Sequence, residues 1–126
     1  MPMEEFRVII AGGRQFNNYG LLSAKCDGIL SQKRITHKIV IISGTARGAD
    51  TLGERYARER GYTLRQFPAD WDQFGKSAGY RRNCQMADNA DALIAFWDGQ
   101  SPGTRHMIEI ARERNLAVRV INYSMS

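Results

Sequence analysis

Lys38-Ile39-Val40-Ile41-Ile42-Ser43-Gly44-Thr45-Ala46-Arg47-Gly48-Ala49-Asp50 decides how the chain is read. Lys38 to Ile42 is an apolar, β-branched run without polar alternation, as a strand covered on both faces requires. Glycine ends it at Gly44, and Asp50 opens a helix through about Arg60. Leu52, Tyr56 and Ala57 lie on one side of that helix, and Gly61 serves as its stop. A two-sided strand that passes through a glycine loop into a helix belongs to an α/β protein with a parallel sheet.

The same alternation extends in both directions. Phe6 to Ala11 is a continuous apolar strand ended by Gly12-Gly13, and Leu22, Cys26, Ile29 and Leu30 follow helical spacing between Tyr19 and about Ser31. Thr63 to Phe67 reads as a short third strand. Pro68 to Gly79 lacks periodicity and carries Trp71 and Phe74 among aspartates, glycines and a proline, as a lid does. Tyr80 to about Asn89 is a helix with Tyr80, Cys84 and Ala87 inward, and Asp91 to Trp97 is the fourth strand. Thr104 to about Arg114 is a helix with Met107, Ile108 and Ala111 inward, and Ala117 to Ile121 is the fifth strand. Five strands and four crossover-length connections predict a Rossmann-like three-layer α/β sandwich. Its five-stranded sheet is expected to be mostly parallel, in the order 3-2-1-4-5. The topological switch then lies between strands one and four, where ligands bind at the carboxyl ends of such sheets.

Composition agrees. At 126 residues, 43% hydrophobic and 25% charged, the chain makes one domain spanning 1–126. Twelve glycines and three prolines without a repeat argue against collagen-like or low-complexity sequence. No apolar run approaches a membrane span, and Met1-Pro2-Met3-Glu4-Glu5 lacks the pattern of a signal peptide, so a cytoplasmic protein without membrane partners is expected. Cys26 and Cys84 are too few for a disulfide framework or zinc knuckle, so buried thiols and no metal are expected. The net charge is +5, and 14 of the 18 basic residues are arginine, whose planar fork suits phosphate better than lysine does. Arg58, Arg60, Arg112 and Arg114 read as solvated helix faces.

Three loops converge on the switch. Gly12-Gly13-Arg14 after strand one has the glycines of a plain turn or of a close backbone approach to a ligand, with Arg14 as a phosphate clamp. Ser43, Gly44, Thr45, Arg47, Gly48 and Asp50 surround a helix entrance and have the shape of an anion nest. Asp50 reads as the helix N-cap or as a ligand contact. Gly99, Gly103 and Thr104 lead into another helix, and Asp98 at the strand end is either a ribose acceptor or a loop cap. Neither a dinucleotide fingerprint nor a Walker loop is present, so no cofactor is expected. Gly75-Lys76-Ser77 has Asp70 where a Walker glycine belongs. Ser43, His37 and His106 lack the context of a nucleophile elbow.

Gly12-Gly13-Arg14, Ser43 through Asp50, Gly79-Tyr80-Arg81-Arg82-Asn83 with Met86-Ala87-Asp88, and Phe96 through Thr104 together resemble the YspA, cpYpsA-related SLOG family. The resemblance covers Phe6 to about Ile121. It implies a Rossmann-like domain that binds nucleotides or nucleotide-derived ligands, as a sensor or as a processing enzyme, with Arg82 and Asn83 added to the site. It also leaves a homodimer or higher homo-oligomer open. The LOG phosphoribohydrolases are similar around Arg82 and Gly103-Thr104. Met107 stands where those enzymes carry a glutamate, which leaves Arg82 and Asp98 as weak candidates for N-glycosidic hydrolysis and the catalytic residues unknown. The DprA family is similar over Ser43 to Asp50, which keeps single-stranded DNA as a third and lesser reading. Trp71, Phe74 and Tyr80 would then supply the stacking surfaces.

Overall fold

The computed structural model describes residues 3–123. Five parallel strands form one sheet in the order β3-β2-β1-β4-β5. They are β1 (Glu5–Gly12), β2 (Lys38–Ser43), β3 (Thr63–Gln66), β4 (Ala92–Trp97) and β5 (Ala117–Asn122). The helices are α1 (Tyr19–Leu30), α2 (Lys33–Thr36), α3 (Ala49–Arg60), α4 (Trp71–Phe74), α5 (Ala78–Asp88) and α6 (Pro102–Glu113). The Rossmann-like order and parallel sense are those expected from the sequence. Among the described residues, no helix is long and apolar enough to cross a membrane.

Strand side chains alternate between two apolar layers. Val8, Ile10, Ile39, Ile41, Ile94 and Phe96 meet Leu22, Cys26 and Leu30 of α1 and Tyr56 and Ala57 of α3. Ile9, Ile42, Leu93 and Ala95 meet Met86 and Ala87 of α5 and Met107, Ile108 and Ala111 of α6. Because β1 is central, the chain winds toward β3 with helices on one face and toward β5 with helices on the other. Gly12 pairs in register with Phe96, so the loops after β1 and β4 leave the sheet side by side in opposite directions. That divergence opens a crevice.

Several local expectations change. Pro68 to Gly79 is helical in part: Asp70 caps α4 by accepting from the Gln73 N–H at 3.1 Å, and a 3-10 turn over Gly75–Ser77 runs into α5. Helix α5 is rotated from the expected phase. Ala78, Asn83, Met86 and Ala87 face inward, Tyr80 is exposed and Cys84 is half-buried rather than buried. Tyr80 and Cys84 were plausible on apolarity alone, but Met86, Ala87 and Ala90 fill the layer under the sheet better at this crossing. Helix α6 starts two residues earlier than expected because Pro102, lacking an amide hydrogen, is well suited to the first helical position.

Candidate functional site

A cleft of about 590 Å³ lies over the carboxyl ends of β1 and β4. Gly12, Gly13 and Arg14 line it from the first loop, Asp50 from α3, Arg82 and Asn83 from α5, and Asp98, Gly103 and Thr104 from the β4–α6 connection. A second hollow of about 360 Å³ adjoins it, lined by Gly44, Thr45 and Arg47. Arg14, Ala46, Trp71 and Arg82 line both. Of the expected site residues, Ser43, Gly48 and Gly99 line neither.

Ser43 and Gly48 act beneath the surface. The buried Ser43 hydroxyl donates to Glu54 Oε2 at 2.7 Å and accepts from the Thr45 N–H at 3.0 Å. Gly48 is the N-cap of α3, at φ 78° and ψ −123°, a conformation side chains resist. A Cβ there would also collide with the Gly13 carbonyl, which accepts from the Ala49 N–H at 3.2 Å. Asp50 is therefore not the N-cap. It sits inside the first turn and reaches back, Oδ2 accepting from the Ala46 N–H at 3.1 Å. The anticipated anion nest is thus partly self-occupied, with the Thr45, Ala46 and Ala49 amides each satisfied from within the protein.

Charge in the cleft comes from side chains. Arg7, Arg55, Arg58, Arg60, Arg65 and Arg114 pair with carboxylates at 2.6–3.5 Å. Arg14, Arg47 and Arg82 have no ion-pair partner among the described residues. The Arg82 guanidinium donates to the Gly44 carbonyl and, through Nε, to Asn83 Oδ1 at 3.1 Å. Asn83 in turn donates to the Gly103 carbonyl at 3.4 Å and lies 3.1 Å from His106 Nδ1, tying the arginine to α6. Burial lowers the Arg82 pKa and Arg14 lowers it further, against the pull of Asp50. Arginine nevertheless stays protonated, so two cations share the mouth of the cleft. Gly44 makes room for this arrangement, since a Cβ would stand 2.8 Å from Arg82 Nη1 and 3.0 Å from Asp50 Oδ2.

The two carboxylates of the cleft differ. Asp50 is 6% exposed, and burial raises its pKa to about 6 in spite of the Ala46 amide, Arg82 and Arg14, with Glu54 adding to the rise. Asp98 Oδ1 accepts from the Gln100 and Ser101 amides at 2.9 and 2.8 Å, which lowers its pKa. Asp98 is thus a loop cap that also lines the cleft. Burial lowers the His106 pKa, against Glu109 and Glu113.

Trp71, Lys76, Tyr80, Met86, Ser101 and Tyr123 also line the cleft and were not among the residues expected to bind the small-molecule ligand. In the sequence Trp71 and Tyr80 appear as stacking surfaces for a single strand, with Tyr80 otherwise expected to face inward. Tyr123 reaches the site only because β5 lies beside β4 and its Tyr123 N–H donates to the Trp97 carbonyl at 3.1 Å. Among the described residues, no cluster of histidine, cysteine and carboxylate side chains has the makings of a metal site.

Residues 6–74 match the model of the YspA, cpYpsA-related SLOG family. The chain belongs to that family. The SLOG match ends at α4, before Arg82, Asp98 and the start of α6. A wider relationship spans them: the Gene 61 protein of Mycobacterium phage D29 is 35% identical over 119 residues, covering 89% of this chain and 93% of that protein. The SLOG fold is also similar to the X-ray structure of DNA processing protein A (DprA) from Streptococcus pneumoniae, with TM-score 0.72 and 18% identity. That match covers 97% of this chain and 52% of the other, so the chain spans about half of the longer protein. The DprA structure from Helicobacter pylori, reported for its single-stranded DNA binding mode, aligns with TM-score 0.65 and 18% identity over 96% of this chain and 67% of that one.

Proposed function

We propose that the cleft binds a phosphorylated, nucleotide-derived small molecule, with its phosphates between Arg14 and Arg82. The observation that carries this reading is the convergence of Arg14, Arg47 and Arg82 on the two adjoining hollows, none of them with an ion-pair partner among the described residues. Arg34, Arg81, Arg105, Arg112 and Arg119 are likewise without a carboxylate partner there but line neither hollow, so position rather than lack of a partner marks the three. An anion placed between Arg14 and Arg82 relieves their mutual repulsion and gains charge-assisted hydrogen bonds from both. The first turn of α6, capped by no side chain, adds amides at Gly103 and Thr104. Asp98 Oδ2 and the Asp50 carboxyl group supply acceptors for sugar hydroxyls.

Binding is placed ahead of cleavage. N-glycoside hydrolysis needs a carboxylate or a positioned water at the anomeric carbon, and the inner face of α6 presents Met107 to the cleft where the similar LOG enzymes carry a glutamate. Single-stranded DNA is a lesser second reading, favoured by the exposed Trp71, Phe74 and Tyr80. A thermal-shift screen against AMP, other nucleoside phosphates, ADP-ribose and cyclic nucleotides tests the proposal, with Arg47→Ala and Arg82→Met as controls. Stabilisation of the wild type that weakens in Arg82→Met is expected. No ligand that distinguishes the two defeats it, and release of free base on chromatography would establish cleavage.

A further inference from the structure

Resting on the reading of the cleft as a nucleotide site, we infer that Trp71 is the surface on which the ligand's base stacks. Trp71 is 51% exposed, a costly placement for the largest apolar side chain unless something covers it. Its position is built. Asp70 caps the short helix that carries it, and the Arg81 guanidinium lies 4.3 Å from the ring centre of Phe74, holding the other end of that helix against α5. The indole rests against α5 at Gly79, where a Cβ would make an ordinary contact of 3.4 Å with Trp71 Cη2.

Trp71 lines both hollows, and so do Arg14 and Arg82. A ligand anchored by phosphate on those arginines therefore has an aromatic face available whichever hollow its base enters. Tyr80 is a weaker candidate. It lines the larger hollow alone, and its ring already meets the His106 ring edge-on with centroids 4.6 Å apart. Trp97, the other tryptophan of the chain, is pinned by its indole N–H, which donates to the Ser101 carbonyl at 3.1 Å. Stacking of a base on an aromatic side chain tolerates any base and contributes about 5- to 150-fold in affinity.

With two tryptophans in the chain, fluorescence and calorimetry together test the inference. The probes are AMP, ribose 5-phosphate and a single-stranded oligothymidylate; the proteins are wild type, Trp71→Phe and Trp71→Ala, each checked by circular dichroism. AMP should quench wild-type emission, and the quench should vanish in Trp71→Phe, which still binds AMP within about threefold because phenylalanine also stacks. Trp71→Ala should lose about 5- to 150-fold for AMP and nothing for ribose 5-phosphate. Quenching by the oligonucleotide but not by AMP would assign the stacked base to a strand rather than to a free nucleotide and would overturn the inference in this form. Unchanged AMP affinity in Trp71→Ala, with binding still dependent on Arg82, overturns stacking and leaves the phosphate site standing. Failure of AMP and ribose 5-phosphate alike to bind the wild type removes both.

Discussion

Replacing Asp50 by asparagine keeps the size of the side chain and an acceptor for the Ala46 amide but removes the charge. In the folded protein burial raises this carboxyl group to about 6, against 3.8 for the free side chain. Because the folded-state value is the higher one, the folded chain holds the proton more tightly, and the contribution of Asp50 to stability is lost as pH rises from about 4 through 6. The loss is ~3 kcal/mol once both states are ionised. Other carboxylates shift the opposite way, including Asp27 and Asp91, whose arginine partners hold them low, so the wild-type profile alone does not isolate Asp50. The difference between Asp50→Asn and wild type does. Urea unfolding at steps from pH 4 to 7.5 should show the variant gaining on the wild type by ~2 kcal/mol across that interval, the rest of the loss lying below pH 4, with a plateau above about 6.5. A flat difference, or one in which the wild type gains with pH, would mean that Arg82 and Arg14 outweigh burial, and the electrostatic picture of the cleft would be wrong.

Two further outcomes follow from the same contacts. Gly44→Ala drives a methyl group against Arg82 Nη1, so phosphate-ligand affinity by calorimetry should fall by at least about tenfold while unfolding free energy drops by only ~1–3 kcal/mol. Neutralising Asp50 removes a negative charge facing the anion, so affinity for ADP-ribose, whose pyrophosphate does not titrate near 6, should rise roughly fivefold from pH 7.5 to 5. Asp50→Asn should abolish that dependence.

The parts of the fold that were legible in the sequence are those governed by burial on two sides. The runs Val8–Ala11, Ile39–Ile42 and Leu93–Phe96 lie between helices, so their apolarity is continuous and their pairing order follows from crossover geometry. Helix α5 was misread in phase because a polar residue, Asn83, is buried there for the sake of Arg82 and the α6 backbone, and hydropathy does not see hydrogen bonds. The glycine loops come together around the cleft, but their hydroxyl and carboxyl side chains had two uses. Ser43 and Asp50 bind loop amides, and only the three-dimensional arrangement distinguishes that from facing a ligand. Tyr123 carried no local signal, since it reaches the cleft through strand order alone.

Arg14 and Arg82 are proposed to form a phosphate clamp in the cleft over the carboxyl ends of β1 and β4. A crystal of the protein soaked with ADP-ribose tests it most directly. Density for the pyrophosphate is expected within hydrogen-bonding reach of both guanidinium groups, among Gly12, Gly44 and Gly103. Ligand bound at another face of the sheet, or an unoccupied cleft at saturating nucleotide, would contradict it.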